Sequence, residues 1–316
     1  HSSLYLIWYI LFCFFACLTM LWALDETKVL NVFASVPIIL FTAVVLGEYI
    51  ITAERWNKAL NFLIVAGVVT SVRCLLYTDL FSLLSYYNRD MFAKELLSAG
   101  LTYNAFTTPM ALICIIAVYL VYKKSKKRYA IAYGVITLTL IISGSRKAIV
   151  VAILGLIFVS LLYKRNGSTL KKILIITGVV VAVYMLLLYI SVLYNAVGDI
   201  MQQMFGDNSS VTDPSLIGRA FFRKKAWEIF FDHPILGVGI NNFSTVMEQI
   251  NYSHTLYAHN NFLELLADGG IIGFCMYYWI YIKELLSSTL SYMHKSHTSP
   301  AVLVMSIFIC LLIMEY

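Results

Sequence analysis

The chain has 316 residues, of which 60% are hydrophobic and only 13% charged, and its mean hydropathy is +0.81. Soluble domains lie nearer half apolar and a quarter charged, so composition excludes an ordinary soluble enzyme. The net charge of +6 does not point to nucleic acid, because the basic residues gather in short loops where membrane topology accounts for them.

In chain order, uncharged runs recur at roughly the 17–21 residues needed to cross a hydrocarbon core as a helix. They predict an all-α, polytopic transmembrane bundle with about nine spans: 4–23, 30–50, 58–77, 105–122, 129–144, 147–163, 173–193, 271–287 and 300–316. Three basic loops, KKSKKR at 123–128, KRNGSTLKK at 164–172 and SYMHKSHTS at 291–299, fall on one side if each span crosses once. The positive-inside rule makes that side cytoplasmic. Glu54 to Lys58 is then inside and Asp25 to Lys28 outside, and the segments 78–104 and 194–270 are extracytoplasmic. The chain is expected to form a single integral membrane domain over 1–316, with 194–270 as its large external loop. It opens at His1 without a Met and closes on an apolar run, which suggests a piece of a longer protein. Cys13, Cys17, Cys74, Cys114, Cys275 and Cys310 lie in or beside apolar runs and show neither metal spacing nor a disulfide framework.

The polar stretch from Arg219 to Gly273 concentrates Arg, His, Asn and Gly beside spans that carry almost no charge. On a helix, Arg219 and Arg223 fall within about 40° of each other and share a sector with Phe222, Ala226, Trp227, Ile229 and Phe230. Lys224, Lys225 and Glu228 take the opposite face. An arginine on the stripe that should be buried needs an anion or carbonyl partner, and a phosphate gripped through two hydrogen bonds fits. The plainer reading is an interfacial helix whose arginines snorkel toward headgroups.

Arg146 follows Ser143-Gly144-Ser145 in a turn so short that it sits at the outer end of a tight helical hairpin. A topological anchor explains a cation there, but the loop count puts this one outside, where the positive-inside rule does not favour it. His259 precedes a short apolar helical stretch that Asn260 or Asn261 can cap. Its imidazole shares a face with Phe262, Leu263 and Leu266, while Glu264 points away. A lone His on an apolar face is more often packed than catalytic, yet a neutral imidazole at this boundary is able to accept a proton from a hydroxyl. His233-Pro234 marks a helix stop, Gly237-Val238-Gly239 a tight turn, and Gly269-Gly270 a helix end through a left-handed residue. Gly269 and Gly273 are spaced for close approach in a membrane. No DxD-like pair, P-loop or HExxH motif occurs, and Asp199, Asp207, Asp213 and Asp232 read as turn or cap residues.

The order SGSRKA (143–148), GRxxxxxxxW (218–227), HPILGVGINNF (233–243) and HNNFLELLADGGIIG (259–273) resembles the O-antigen ligase and polymerase superfamily. The resemblance implies a C-type glycosyltransferase-like bundle working on the outer face of a bacterial inner membrane. Its donor would be an undecaprenyl-pyrophosphate-linked glycan, its acceptor another glycan or a lipid-linked one. Membrane lipids are its surroundings, and no nucleic acid or cofactor is implied. By the same resemblance Arg146, Arg219 and His259 are the functional residues, with Arg223, Asn260 and Asn104 as further substrate-binding positions. The two arginines would bind the pyrophosphate and stabilise the charge that develops on it. His259 would orient or deprotonate the acceptor hydroxyl. A pyrophosphate is already a good leaving group, so no metal is expected. Against these motifs stands the smaller number of spans than the family usually has.

A transporter would set its polar groups at mid-membrane on broken helices, and only Arg73, near the end of span 58–77, speaks for that. A scaffold would leave the arginines unexplained. Polymerase is expected ahead of ligase, because nothing in the chain marks a lipid A-core acceptor.

Overall fold

The computed structural model describes residues 2–77, 103–143, 145–163, 214–250, 257–294 and 300–315, and among them the only regular structure is helical. The helices are α1 (Ser2–Leu18), α2 (Glu26–Phe33), α3 (Val36–Tyr49), α4 (Ala53–Tyr77), α5 (Tyr103–Lys124), α6 (Lys127–Ser143), α7 (Arg146–Leu162), α8 (Pro214–Asp232), α9 (Phe243–Gln249), α10 (Asn261–His294) and α11 (Ala301–Glu315). Five stretches among the described residues are long and apolar enough to cross a membrane: Leu4–Leu21, Glu26–Tyr49, Ala53–Leu76, Phe106–Lys124 and Asn261–His294. The chain is a multi-pass helical membrane protein, as its hydropathy pattern predicts. The expected span 173–193 and the polar segment 194–213 lie outside the described residues.

The expected span 30–50 is broken between Phe33 and Val36. Pro37 falls in the first turn of α3, where its missing N–H is no loss to α3 but ends the hydrogen-bonded run of α2. No residue of α3 is buried; Ile38 and Phe41 are each about seven-tenths exposed, as side chains facing lipid would be.

The chain divides into two compact units. One comprises residues 1–56, 210–284 and 315–316, the other 57–209 and 285–314. In the second, α5 packs against both α6 and α7. The approach of α7 is close enough that a Cβ at Gly155 would lie 2.5 Å from Cγ1 of Ile115. The Tyr122 hydroxyl donates to Oγ of Ser160 at 2.9 Å, tying α5 to α7 near one end. The Tyr129 hydroxyl donates to Oδ1 of Asn61 at 2.7 Å, tying α6 to α4.

In the first unit α1 lies along α10. The Trp8 indole donates to the carbonyl of Met276 at 2.8 Å, and the Phe15 ring edge would be 2.8 Å from a Cβ at Gly273. The spacing of Gly269 and Gly273 thus does admit a close neighbour, an aromatic ring of α1. Past α1 the chain is fastened to the polar segment. The amide of Asp25 donates to Oδ1 of Asn242, whose amide group returns a bond to the Asp25 carbonyl, and the amide of Ile240 donates to the buried Thr19 hydroxyl.

Candidate functional site

Helix α8 carries Arg219 and Arg223 one turn apart. Its inner face is Phe222, Ala226 and Ile229, which join Val238, Phe243, Met247, Ala258 and Ala267 in a buried core. The two arginines flank this face and are half-buried. On the other flank Lys225 pairs with Glu228 at 2.6 Å, and the lysine beside it holds that carboxyl below its usual range. Trp227 departs from the sequence expectation. It lies one residue, hence about 100°, beyond the inward Ala226 and is exposed, stacked on Phe231 at 5.6 Å. The apolar sector read from sequence was wider than the helix can bury, and the core took the side centred on Phe222.

Phe222 sits between the two arginines in sequence and stacks on the His259 imidazole, centroids 6.2 Å apart. Tyr257 approaches the same imidazole at 4.0 Å. His259 is not helical: its φ of 55° turns the chain sharply before α10 begins. A side chain in this region costs on the order of 1–3 kcal/mol unless the surroundings hold it there. They do so from both sides. Oδ1 of the buried Asn260 caps α10 by accepting the Leu263 amide at 3.1 Å, and Oε2 of Glu264 reaches back to accept the Ala258 amide at 2.9 Å. Glu264, which sequence reasoning set aside as pointing away, therefore steadies the backbone beside His259. Asn260→Ala is expected to lower the unfolding free energy by about 1 kcal/mol, and Asn260→Asp, an equally good cap, by much less; thermal midpoints of the purified protein in detergent would check both.

Sequence reasoning also passed over Asp268. It is buried, and its two carboxylate oxygens accept the amides of Asn241 at 2.8 Å and Phe243 at 2.7 Å. Around it the HPILGVG and ADGG segments are joined through their backbones. Val238 and Gly239 donate to the carbonyls of Ala267 and Asp268, and Ile271 and Ile272 donate to those of Pro234 and Ile235. The last two amides are free because Gly270, with φ of 59° and ψ of −166°, breaks α10 and begins a new run. Gly237, also at positive φ, lies so close that a Cβ there would strike the carbonyl of Asp268. The expected helix stop at His233-Pro234 and the left-handed residue at Gly269-Gly270 are both present, as two halves of this clasp.

In the second unit Arg146 is the first residue of α7, after a hairpin as tight as expected, and Asn104 lies in the first turn of α5. The side chains of both are outside the described residues. The neighbour of Arg146, Lys147, reaches the carbonyl of Met314 near the end of α11 at 3.4 Å, where a cation complements the helix dipole. At the start of α7 the dipole opposes a cation, so Arg146 gains nothing from the helix it opens. Among the described residues no cluster of three or more His, Cys, Asp or Glu side chains is arranged to hold a metal.

Residues 131–278 match the family model described as O-antigen ligase. Over this stretch, just under half of the chain, the protein is similar to that family. The matched segment runs from α6 through α7 and α8 into α10, and takes in Arg146, Arg219, Arg223, His259 and Asn260; Asn104 precedes it. No curated protein matches the chain.

Proposed function

We propose that the protein is a glycosyltransferase that polymerises undecaprenyl-pyrophosphate-linked repeat units of a surface polysaccharide, with its site on the extracytoplasmic face of the bacterial inner membrane. The observation that carries this reading is the stacking of Phe222 on His259, which draws the helix of two half-buried arginines to a histidine held in a left-handed turn. Two guanidiniums one turn apart suit the paired phosphates of a lipid-linked donor. An imidazole beside them suits an acceptor hydroxyl that must lose its proton. Arg219 and Arg146 bind the pyrophosphate and stabilise its growing charge as the glycosidic bond breaks, with Arg223 and Asn104 assisting in binding. His259 takes the proton of the hydroxyl attacking from the opposite side, so the anomeric carbon inverts. Asn260 acts chiefly by fixing His259, through the cap it forms.

The family description favours a second reading, transfer of a finished glycan to lipid A-core. One experiment separates the two: a gel profile of surface polysaccharide from cells carrying Arg219→Ala or His259→Ala, with the variant detected in the membrane. A polymerase variant leaves single repeats on the final acceptor and loses the long ladder. A ligase variant accumulates long polymer on its lipid carrier. A profile identical to wild type in both variants removes the enzymatic reading and leaves a transporter of the lipid-linked sugar to be examined.

A further inference from the structure

Along the outward side of α8 the residues Ala220, Lys224, Trp227 and Phe231 follow one another at helical spacing, and all are exposed. The stripe changes character along its length. It starts beside the arginines, passes Lys224, and ends in Trp227 stacked on Phe231, with Phe231 71% exposed. The exposed surface then continues through Ile235 and Leu236 in the turn after α8. A soluble helix does not place its largest aromatics on the side away from its core without something to cover them.

What covers them is indicated by the clasp. Ile235 and Pro234 are hydrogen-bonded through their carbonyls to Ile272 and Ile271, the first residues of the membrane-crossing run of α10 after the Gly270 break. Ile271 and Ile272 are themselves exposed, as lipid-facing residues at the head of a span would be. The apolar turn is thereby fixed at the depth where that span enters the bilayer. We propose that the C-terminal half of α8 and the 234–236 turn are embedded in the lipid interface, with Trp227 and Phe231 as the anchors. The polar residues of the stripe point the same way: Lys224 has a stem long enough to keep its ammonium among headgroups while the aromatics sit deeper. Arg223 and Arg219 lie roughly 6 and 12 Å farther back along the helix axis from Trp227. That span is short enough to hold both guanidiniums at the level where a lipid-borne phosphate would be met. The inference rests on the membrane reading of α10 and stands whether or not the protein is a glycosyltransferase.

The test uses the purified full chain in phospholipid vesicles. Subtracting the emission of Trp227→Phe from that of the wild type isolates Trp227, since Trp8, Trp22, Trp56 and Trp279 are common to both. The expected component is blue-shifted, loses most of its intensity when the vesicle lipids carry bromine high on the acyl chains, and is little affected by aqueous acrylamide. A component quenched by acrylamide and indifferent to brominated lipid overturns the proposal, because the face then meets water or a soluble partner. If Trp227 proves too dim to isolate, Phe231→Trp in the Trp227→Phe background applies the same criterion at the more exposed position. Neither outcome requires a sugar substrate, so it is distinguishable from failure of the enzymatic reading.

Discussion

Asp268→Ala is expected to cost roughly 2–6 kcal/mol, since the amides of Asn241 and Phe243 both lose their acceptor and a donor left unsatisfied costs about 1–3 kcal/mol. Against a total stability of about 5–15 kcal/mol that is enough to unfold much of the unit at growth temperature. The reason lies in what the carboxylate does. The amides of Asn241 and Phe243 stand where the turn leads into α9, and both donate to this one carboxyl group. Without it the 238–243 segment is free to leave the core it shares with Phe222 and Ala267, and His259 loses its backing. Asp268→Asn keeps one acceptor and the shape, so its loss should be intermediate. Thermal midpoints in detergent, with gel filtration to count folded protein, would measure the series. An alanine variant that melts with the wild type would show that the carboxylate is not what holds the turn.

A comparably large effect is expected at Gly270. Its φ of 59° with ψ of −166° lies in a region essentially closed to residues with a Cβ, at a cost on the order of 1–3 kcal/mol. A steric charge adds to this, because the new methyl would meet the carbonyl of Ile235 and the amide of Leu236. Those are backbone atoms, and the Ile235 carbonyl is already committed to Ile272. Gly273→Ala is the comparison: its methyl meets only the ring of Phe15, which can tilt away. Gly270→Ala should therefore lower the midpoint well beyond Gly273→Ala. Equal losses would mean that the break in α10 adapts to a side chain and that its geometry is not dictated by glycine.

Membrane-crossing helices such as those at 4–21, 53–76 and 106–124 were legible because a run of apolar residues long enough to cross a bilayer has few other uses. The helix stop at His233-Pro234 and the break at Gly269-Gly270 were legible for a similar reason, since proline and glycine act on their own backbone and need no distant partner. The burial around Arg219 was read only in part. Periodicity gave the sector but not its rotation, and Trp227 went outward because the partner surface, not the helix, chose Phe222. Asp268 was invisible: an aspartate before two glycines looks like any helix-end residue, and its partners Asn241 and Phe243 stand more than twenty residues away. The same holds for Asn242, whose bonds run to Asp25 across most of the chain. Local patterns announce what a residue does to its neighbours, and these residues act at a distance.

The first unit joins residues 1–56 to residues 210–284, so α1 to α3 meet α8, α9 and the first part of α10 only after the whole of α4 to α7. Thr19 receives the Ile240 amide and Asp25 the Asn242 side chain only when more than two hundred further residues have been made. During synthesis the opening helices must therefore wait in the bilayer without the partners that hold them in the finished protein. The apolar, lipid-tolerant surfaces of α1 and α3, which carry one charged residue between them, make such waiting possible. A nascent chain halted before α8 would contain a membrane-inserted but unfinished first unit, and its survival would depend on how soon translation resumes.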